Sequence, residues 1–450
     1  MSNTLFENGI AHWAEQVRTG KLTFNQTTQT CIDTIKADES LGAWELIDED
    51  TSVQSAKAMD ALLASGTDLG WAMGLPLAVK DIMRANGFPI TNGSNADTAH
   101  LVGPEGTVLT TFKRAGMIVL GKTKTVEFAL GVTGQNTARG TPWNPCDRDT
   151  HRIPGGSSSG SAVAMAANHV GLALGTDTGG SVRIPAAFNG IVGHKTSVRL
   201  WPTDGVFSLS TTLDSIGPLC KTVDDTALVH TLMTGENIPP PVSLNGLRLG
   251  VPKEHFFDDL DPQVANDFDR ALNALVQAGA VAVPISYPEA AERAELVPAI
   301  VPTELLSTLG VDLFNNNRDG MDTITAQRAA HALSVTGVEY KQALMRQQEL
   351  IKIANATFEH VDCWVSPTAP IVPPPYSDLD NPKLHKRALN ASWNVQPGNL
   401  AEFCAMSLPM HNTQLPTGFQ IMLPHGNDAR LIAISKSIES LLNSTNGKAV

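Results

Sequence analysis

Gly155-Gly156-Ser157-Ser158-Ser159-Gly160-Ser161, followed after a short apolar stretch by Gly175-Thr176-Asp177-Thr178-Gly179-Gly180-Ser181, is the pair of segments on which the reading of this chain turns. Taken alone, the first looks like a flexible linker. Its surroundings argue against that: Pro154 precedes it, Ala162-Val-Ala-Met-Ala-Ala167 reads as the start of a buried helix, and Leu172-Ala-Leu174 leads straight into the second loop. A phosphate cradle is the other competitor, since glycine loops at helix N-termini bind anions through backbone N–H groups. Neither loop carries the G-x-x-x-x-G-K-[ST] lysine, and no G-x-G-x-x-G with a downstream ribose-binding acid is present.

Working outward, Gly74-Leu-Pro-Leu-Ala-Val-Lys80-Asp81 reads as a buried strand that delivers Lys80 at its end, where charge is costly. The spacing of Val108, Leu109 and Phe112 predicts a helix stopped at Gly116, with a strand at Met117-Ile-Val-Leu120. The order repeats at Leu247–Val251 (strand), Asp261-Pro262 (helix start), Val264, Phe268, Leu272 and Leu275 (buried face) and Val281–Val283 (strand). Ile10, Trp13, Ala14 and Val17 mark a helix near the start of the chain. The Ala-, Leu- and Gln-rich stretch 286–360 predicts further helices as a cap over the site, and proline-rich 366–382 a loop. The expected fold is α/β: a single large mixed, mainly parallel β-sheet sandwiched between helical layers.

At 450 residues with 42 % hydrophobic side chains, the chain suits one large domain. Its formal charge of −13, without a dense Lys/Arg run, argues against nucleic acid and for a small-molecule partner. Five cysteines without C-x-x-C spacing form neither a disulfide framework nor a zinc site, so a reducing compartment is expected. With polar residues after Met1 and no apolar run near ~18 residues, a cytoplasmic protein without membrane attachment is the expectation. No cofactor and no metal are expected, and a homodimer is the commonest assembly for such a chain.

A serine hydroxyl needs a base within reach to act as nucleophile. Lysine serves only when its ammonium is disfavoured, as it is at the end of a buried strand. His151, His169 and His194 are the histidine rivals, but the G-x-S-x-G elbow is missing: Ser157 and Ser181 each follow paired glycines.

The two loops resemble the amidase signature family of serine hydrolases: a Gly-Gly-Ser-Ser run, then Gly-Thr/Ser-Asp-Thr-Gly-Gly-Ser-x-Arg, standing here as Gly155 to Ser161 and Gly175 to Arg183. Gly74–Asp81, Gly121-Lys-Thr123, Leu213-Asp214, Ser366–Pro370 and Leu415–Gln420 resemble further family blocks. The resemblance implies the family fold as one domain over 1–450, with a signature core at about 60–220 and a variable cap at about 285–395. It implies hydrolysis of a carboxylic amide through an acyl-enzyme, with Ser181 as nucleophile, Ser157 as relay after a cis peptide and Lys80 as terminal base. The oxyanion and substrate would rest on Thr178, Gly179, Gly180 and Ser181, with Ser158, Asp177 and Arg183 as loop support. The glutaminase component of a tRNA-dependent amidotransferase shares these features and is the alternative. Lys124-Thr125 and Arg199-Leu-Trp201 depart from the family pattern and are expected to line the acyl pocket.

Overall fold

The computed structural model describes residues 4–410 and 415–446; Met1, Ser2 and Asn3, read above for a targeting segment, lie outside it. Among the described residues eleven strands form one sheet: β1 Trp44–Ile47, β2 Pro76–Lys80, β3 Ile118–Thr123, β4 Leu172–Asp177, β5 Val192–Lys195, β6 Ser215–Cys220, β7 Arg248–Pro252, β8 Val281–Ile285, β9 Cys363–Pro367, β10 Cys404–Pro409 and β11 Gly418–Leu423. Their order is β1-β3-β2-β4-β6-β5-β10-β11-β9-β7-β8. The α/β class and the single mixed sheet are as expected.

The direction of the strands corrects one detail. Parallel pairing is confined to β3-β2-β4 and to β9-β7-β8. The middle of the sheet, β4-β6-β5-β10-β11-β9, is antiparallel throughout, as is the β1–β3 edge. Parallel neighbours need a crossover, normally a helix. Between β5 and β6 there is no helix, only the irregular segment 196–214, and β10 and β11, consecutive in the chain, pair antiparallel.

Among the described residues seven strands, β2, β4, β5, β6, β9, β10 and β11, are buried along their whole length, which requires cover on both faces. On β10, Cys404, Met406 and Leu408 join Leu431, Ile434 and Ile438 of the C-terminal helix in one core cluster, while Ala405, between the first two, joins Phe256 and Trp364 in another. At the opposite margin the edge strand β8 is largely exposed and carries Pro284, a residue unable to donate to a ladder.

The helical expectations hold: Ile10, Trp13, Ala14 and Val17 are on the buried face of Gly9–Arg18, and the 286–360 stretch forms Arg293–Leu309, Val311–Asn317, Thr323–His331 and Gly337–Ala356. Asp261 precedes the helix Pro262–Gln277, but its carboxylate does not cap it. It accepts instead from Val372 N at 2.9 Å and from Arg387, and so anchors the proline-rich loop. No single helix among the described residues is long and apolar enough to cross a membrane.

Candidate active site

The site lies at the carboxyl ends of β2 and β4, parallel neighbours beyond which the sheet turns antiparallel at β6. Crevices of this kind collect ligands in open α/β sheets. Lys80 is the last residue of β2 and fully buried. Its Nζ donates to Ser157 Oγ and to Thr176 Oγ1, each at 2.8 Å. Burial is the main influence on the amine and brings it down to about 7, against the pull of the Asp214 and Asp177 charges. At that value a lysine loses and regains a proton near neutrality.

Ser157 follows a cis peptide from Gly156. The two glycine loops are stitched together rather than free: Ser158 N donates to the Ser181 carbonyl at 3.3 Å, and Ser158 Oγ bonds both the carbonyl and the N–H of Thr176. Ser161 Oγ donates to the Leu174 carbonyl at 2.8 Å, and Ser159 Oγ to that of Lys124 at 3.4 Å. Gly160 cannot be larger, because a Cβ there would sit 2.1 Å from the Ala43 carbonyl oxygen.

Asp177 closes β4 and organises the turn after it. Its carboxylate accepts from the N–H groups of Gly180 at 2.8 Å and Val182 at 3.2 Å, from Asn399 Nδ2 at 2.8 Å, and from the fork of Arg183, both nitrogens at 3.0 Å. Burial alone would raise this carboxyl, but the charge and hydrogen bonds of Arg183 outweigh it and hold Asp177 well below the usual range. The fork continues to Asn399 Oδ1 at 2.6 Å and Gln420 Oε1 at 2.7 Å. Gly180 N–H is thus committed to Asp177 and is not a donor for the oxyanion set expected from residues 178–181. Gly180 serves by its shape: φ is +108°, and a Cβ would lie 2.2 Å from Val395 Cγ2.

Ser181 opens onto a small cavity of about 40 Å³, walled by the 178–181 turn, the loop Ala129–Val132, Leu209, Val297, Val301, Arg328 and Gln396. An apolar compartment of about 300 Å³ continues from it and shares Leu130, Val297, Val301 and Arg328. Helix Arg293–Leu309 forms much of this wall and is fastened to the floor. Its Glu304 accepts from Ser210, from Thr212 Oγ1 and, at 2.7 Å, from the Tyr340 hydroxyl. Ser210 N in turn donates to Asp214, which receives Thr178 Oγ1 at 2.5 Å; burial raises the Asp214 carboxyl to about 6.

Several of these partners escape a reading of the sequence. Thr176 has no role there beyond its place in the loop, although standing one residue before Asp177 signals its proximity. Asp214 and Gln420 fall in family-like blocks without an evident task. Arg328, Gln396 and Asn399 carry no local signal. The segments that depart from the family pattern are not where they were expected: of the stretch from Arg199, Leu209 reaches the cavity, whereas Trp201 packs edge-on against Phe112 and neither Lys124 nor Thr125 lines it. The histidines are elsewhere, His151 stacked between Trp143 and Tyr376 and His194 bonded to Asp428 at 3.1 Å.

The amidase family model matches residues 26–432. A 2-amino-5-chloromuconic acid deaminase of Comamonas testosteroni is 36 % identical, over 96 % of each chain. One of the subunits of the glutamyl-tRNA(Gln) amidotransferase of Acidothermus cellulolyticus is 34 % identical, over 97 % of this chain and 94 % of its own. Among solved structures, an amidase superposes with a TM-score of 0.89 at 28 % identity, covering 96 % and 99 % of the two chains. The peptide amidase of Stenotrophomonas maltophilia superposes at 0.83 and 26 %, covering 97 % of each. A lysine drawn toward neutrality beside a serine, at the end of a strand that the family match spans, accords with these likenesses, and the chain belongs to the amidase family of enzymes that hydrolyse C–N amide bonds.

Proposed function

We propose that this enzyme hydrolyses a small carboxylic amide with Ser181 as nucleophile, Ser157 as proton relay and Lys80 as terminal base. One observation carries the reading: Lys80 is wholly buried with two hydroxyls as its hydrogen-bond partners, a setting that favours the free amine. Ser181 Oγ attacks the carbonyl carbon as its proton passes to Ser157 and that of Ser157 to Lys80 Nζ. The amides of Gly179 and Ser181 receive the oxyanion, the Gly180 N–H being held by Asp177. The C–N bond then breaks as the Lys80 proton returns through Ser157 to the leaving nitrogen, giving ammonia or an amine and an ester at Ser181. Water repeats the relay, the ester C–O bond breaks, and Ser181 regains its proton. The test is ammonia or amine release from a panel of primary and aryl amides. Turnover by the purified chain that survives Ser181→Ala would remove this nucleophile.

The amidotransferase relatives favour a second reading, a glutaminase that works within a multi-subunit complex. Glutamine-specific ammonia release that depends on partner subunits would select it over a free-standing hydrolase.

A further inference from the structure

Among the described residues, the lining of the cavity at Ser181 holds donors and no carboxylate. Arg328, on the helix Thr323–His331, lines both the compartment at Ser181 and the apolar one beyond it. Its hydrogen bond is a long one, NH1 to the Leu130 carbonyl at 3.5 Å, and among the described residues no carboxylate pairs with it. The acid at the start of its helix is occupied: Asp322 caps Ile324 N and Thr325 N at 3.1 Å and takes Thr137 Oγ1 at 2.7 Å. Arg183, equally part of the site's framework, has Asp177 on two nitrogens. A guanidinium keeps its charge throughout the physiological range, so one held against apolar helix without a counter-ion is a site for an incoming anion.

A second donor stands nearby. Arg293, stacked over Trp393 at 4.2 Å, donates from NH1 to Gln396 Oε1 at 2.7 Å. With its carbonyl engaged, Gln396 presents its Nε2 amide beside Gly179, 3.5 Å from where a Cβ on that glycine would stand. Among the described residues no Asp or Glu lines either compartment, so an ammonium group on a ligand finds no partner among them. The intervening wall is Leu130, Val297, Pro298, Val301 and Pro302, suited to a hydrocarbon spacer.

Resting on the amide-hydrolase reading above, we infer that the substrate is a half-amide: an amide whose acyl chain ends in a carboxylate and bears no ammonium, with Arg328 binding that carboxylate. The inference speaks against free glutamine as the substrate.

Ammonia release is measured from the monoamides of succinic and adipic acid, from butyramide and hexanamide, and from L-glutamine. For the better-fitting chain length, kcat/KM of the half-amide is expected to exceed that of its neutral counterpart by about tenfold to a hundredfold, with L-glutamine lower still. Arg328→Gln should collapse that ratio toward one, chiefly through KM, and Arg328→Lys should keep part of it. Equal values for charged and neutral amides, a preference for L-glutamine, or a ratio that Arg328→Gln leaves standing would overturn the inference, as would a uniform loss on all amides in that variant. Should no amide be turned over, the hydrolase reading is what fails, and binding decides the site. Succinate or adipate should raise the wild-type Tm by about 2 °C or more and leave Arg328→Gln unmoved; no shift with either dianion refutes it.

Discussion

Two lysines stand side by side in the sheet, both fully buried, and their surroundings give them opposite chemistry. Lys122 on β3 reaches Asp81 Oδ1 at 2.6 Å, and the other carboxylate oxygen is fixed by Thr91 N and Oγ1. Lys80, immediately before Asp81 in the chain, meets the hydroxyls of Ser157 and Thr176. Burial lowers both amines, but Asp81 opposes it directly at Lys122, whereas the carboxylates that support the Lys80 cation act from beyond its hydrogen-bond shell. The same residue type at the same depth is thus an ion-pair member in one place and, in the other, a hydroxyl-bonded amine of the kind proposed above as the base. The partner, more than the burial, separates the two roles.

The sharpest way to break this contrast starts at the nucleophile. Ser181→Ala should lower kcat on the best amide by a factor on the order of 10⁴–10⁶ while Tm stays within about 2 °C of wild type. Unaltered kcat would transfer the nucleophile elsewhere.

Lys80→Met comes next, with an expected loss of about 10³-fold in kcat/KM. In the wild type the proposed relay requires the rate to climb as pH rises through about 7, where the amine becomes free; that limb should vanish in the variant. Stability has its own sign. From about 7 up to the ordinary lysine value of 10.5, the unfolded chain holds a proton on Lys80 that the folded chain has released, so wild-type stability rises with pH across that window. Below it the folded state carries the cost of a buried cation. Lys80→Met should therefore melt higher than wild type near pH 6, the gap narrowing as pH rises. A constant gap in Tm between the two proteins would mean that the amine does not titrate in this range.

Lys122→Met tests the other half of the comparison. Leaving Asp81 buried without its partner should cost about 3–5 kcal/mol of stability by denaturant melting. The pH limb near 7 should stay in place, and its disappearance would make Lys122 the titrating base. Smallest is Thr176→Val, which removes one of the two hydroxyls on Lys80; about a tenfold fall in kcat, with KM nearly constant, is expected. A loss as large as that of Lys80→Met would place Thr176 in the relay itself.

Much of this arrangement is legible in the sequence. The glycine runs announce tight loops because close backbone approach tolerates no Cβ, and the apolar run ending at Lys80 announces a buried amine because nothing polar precedes it on the strand. The tandem Lys80-Asp81 hides the partner exchange, since neighbouring strand residues point to opposite faces and the true mate of Asp81 lies 41 residues away.

The sequence by itself determined the local elements, the two serines and the lysine, because periodicity and backbone demands are written within a few residues. Tertiary structure alone decided the antiparallel centre of the sheet, the commitment of Gly180 N–H to Asp177, and the wall of Val297, Val301, Arg328 and Gln396 opposite Ser181. These depend on which distant segments pack together. That choice follows from burial and pairing summed over the whole chain, and no local pattern records it.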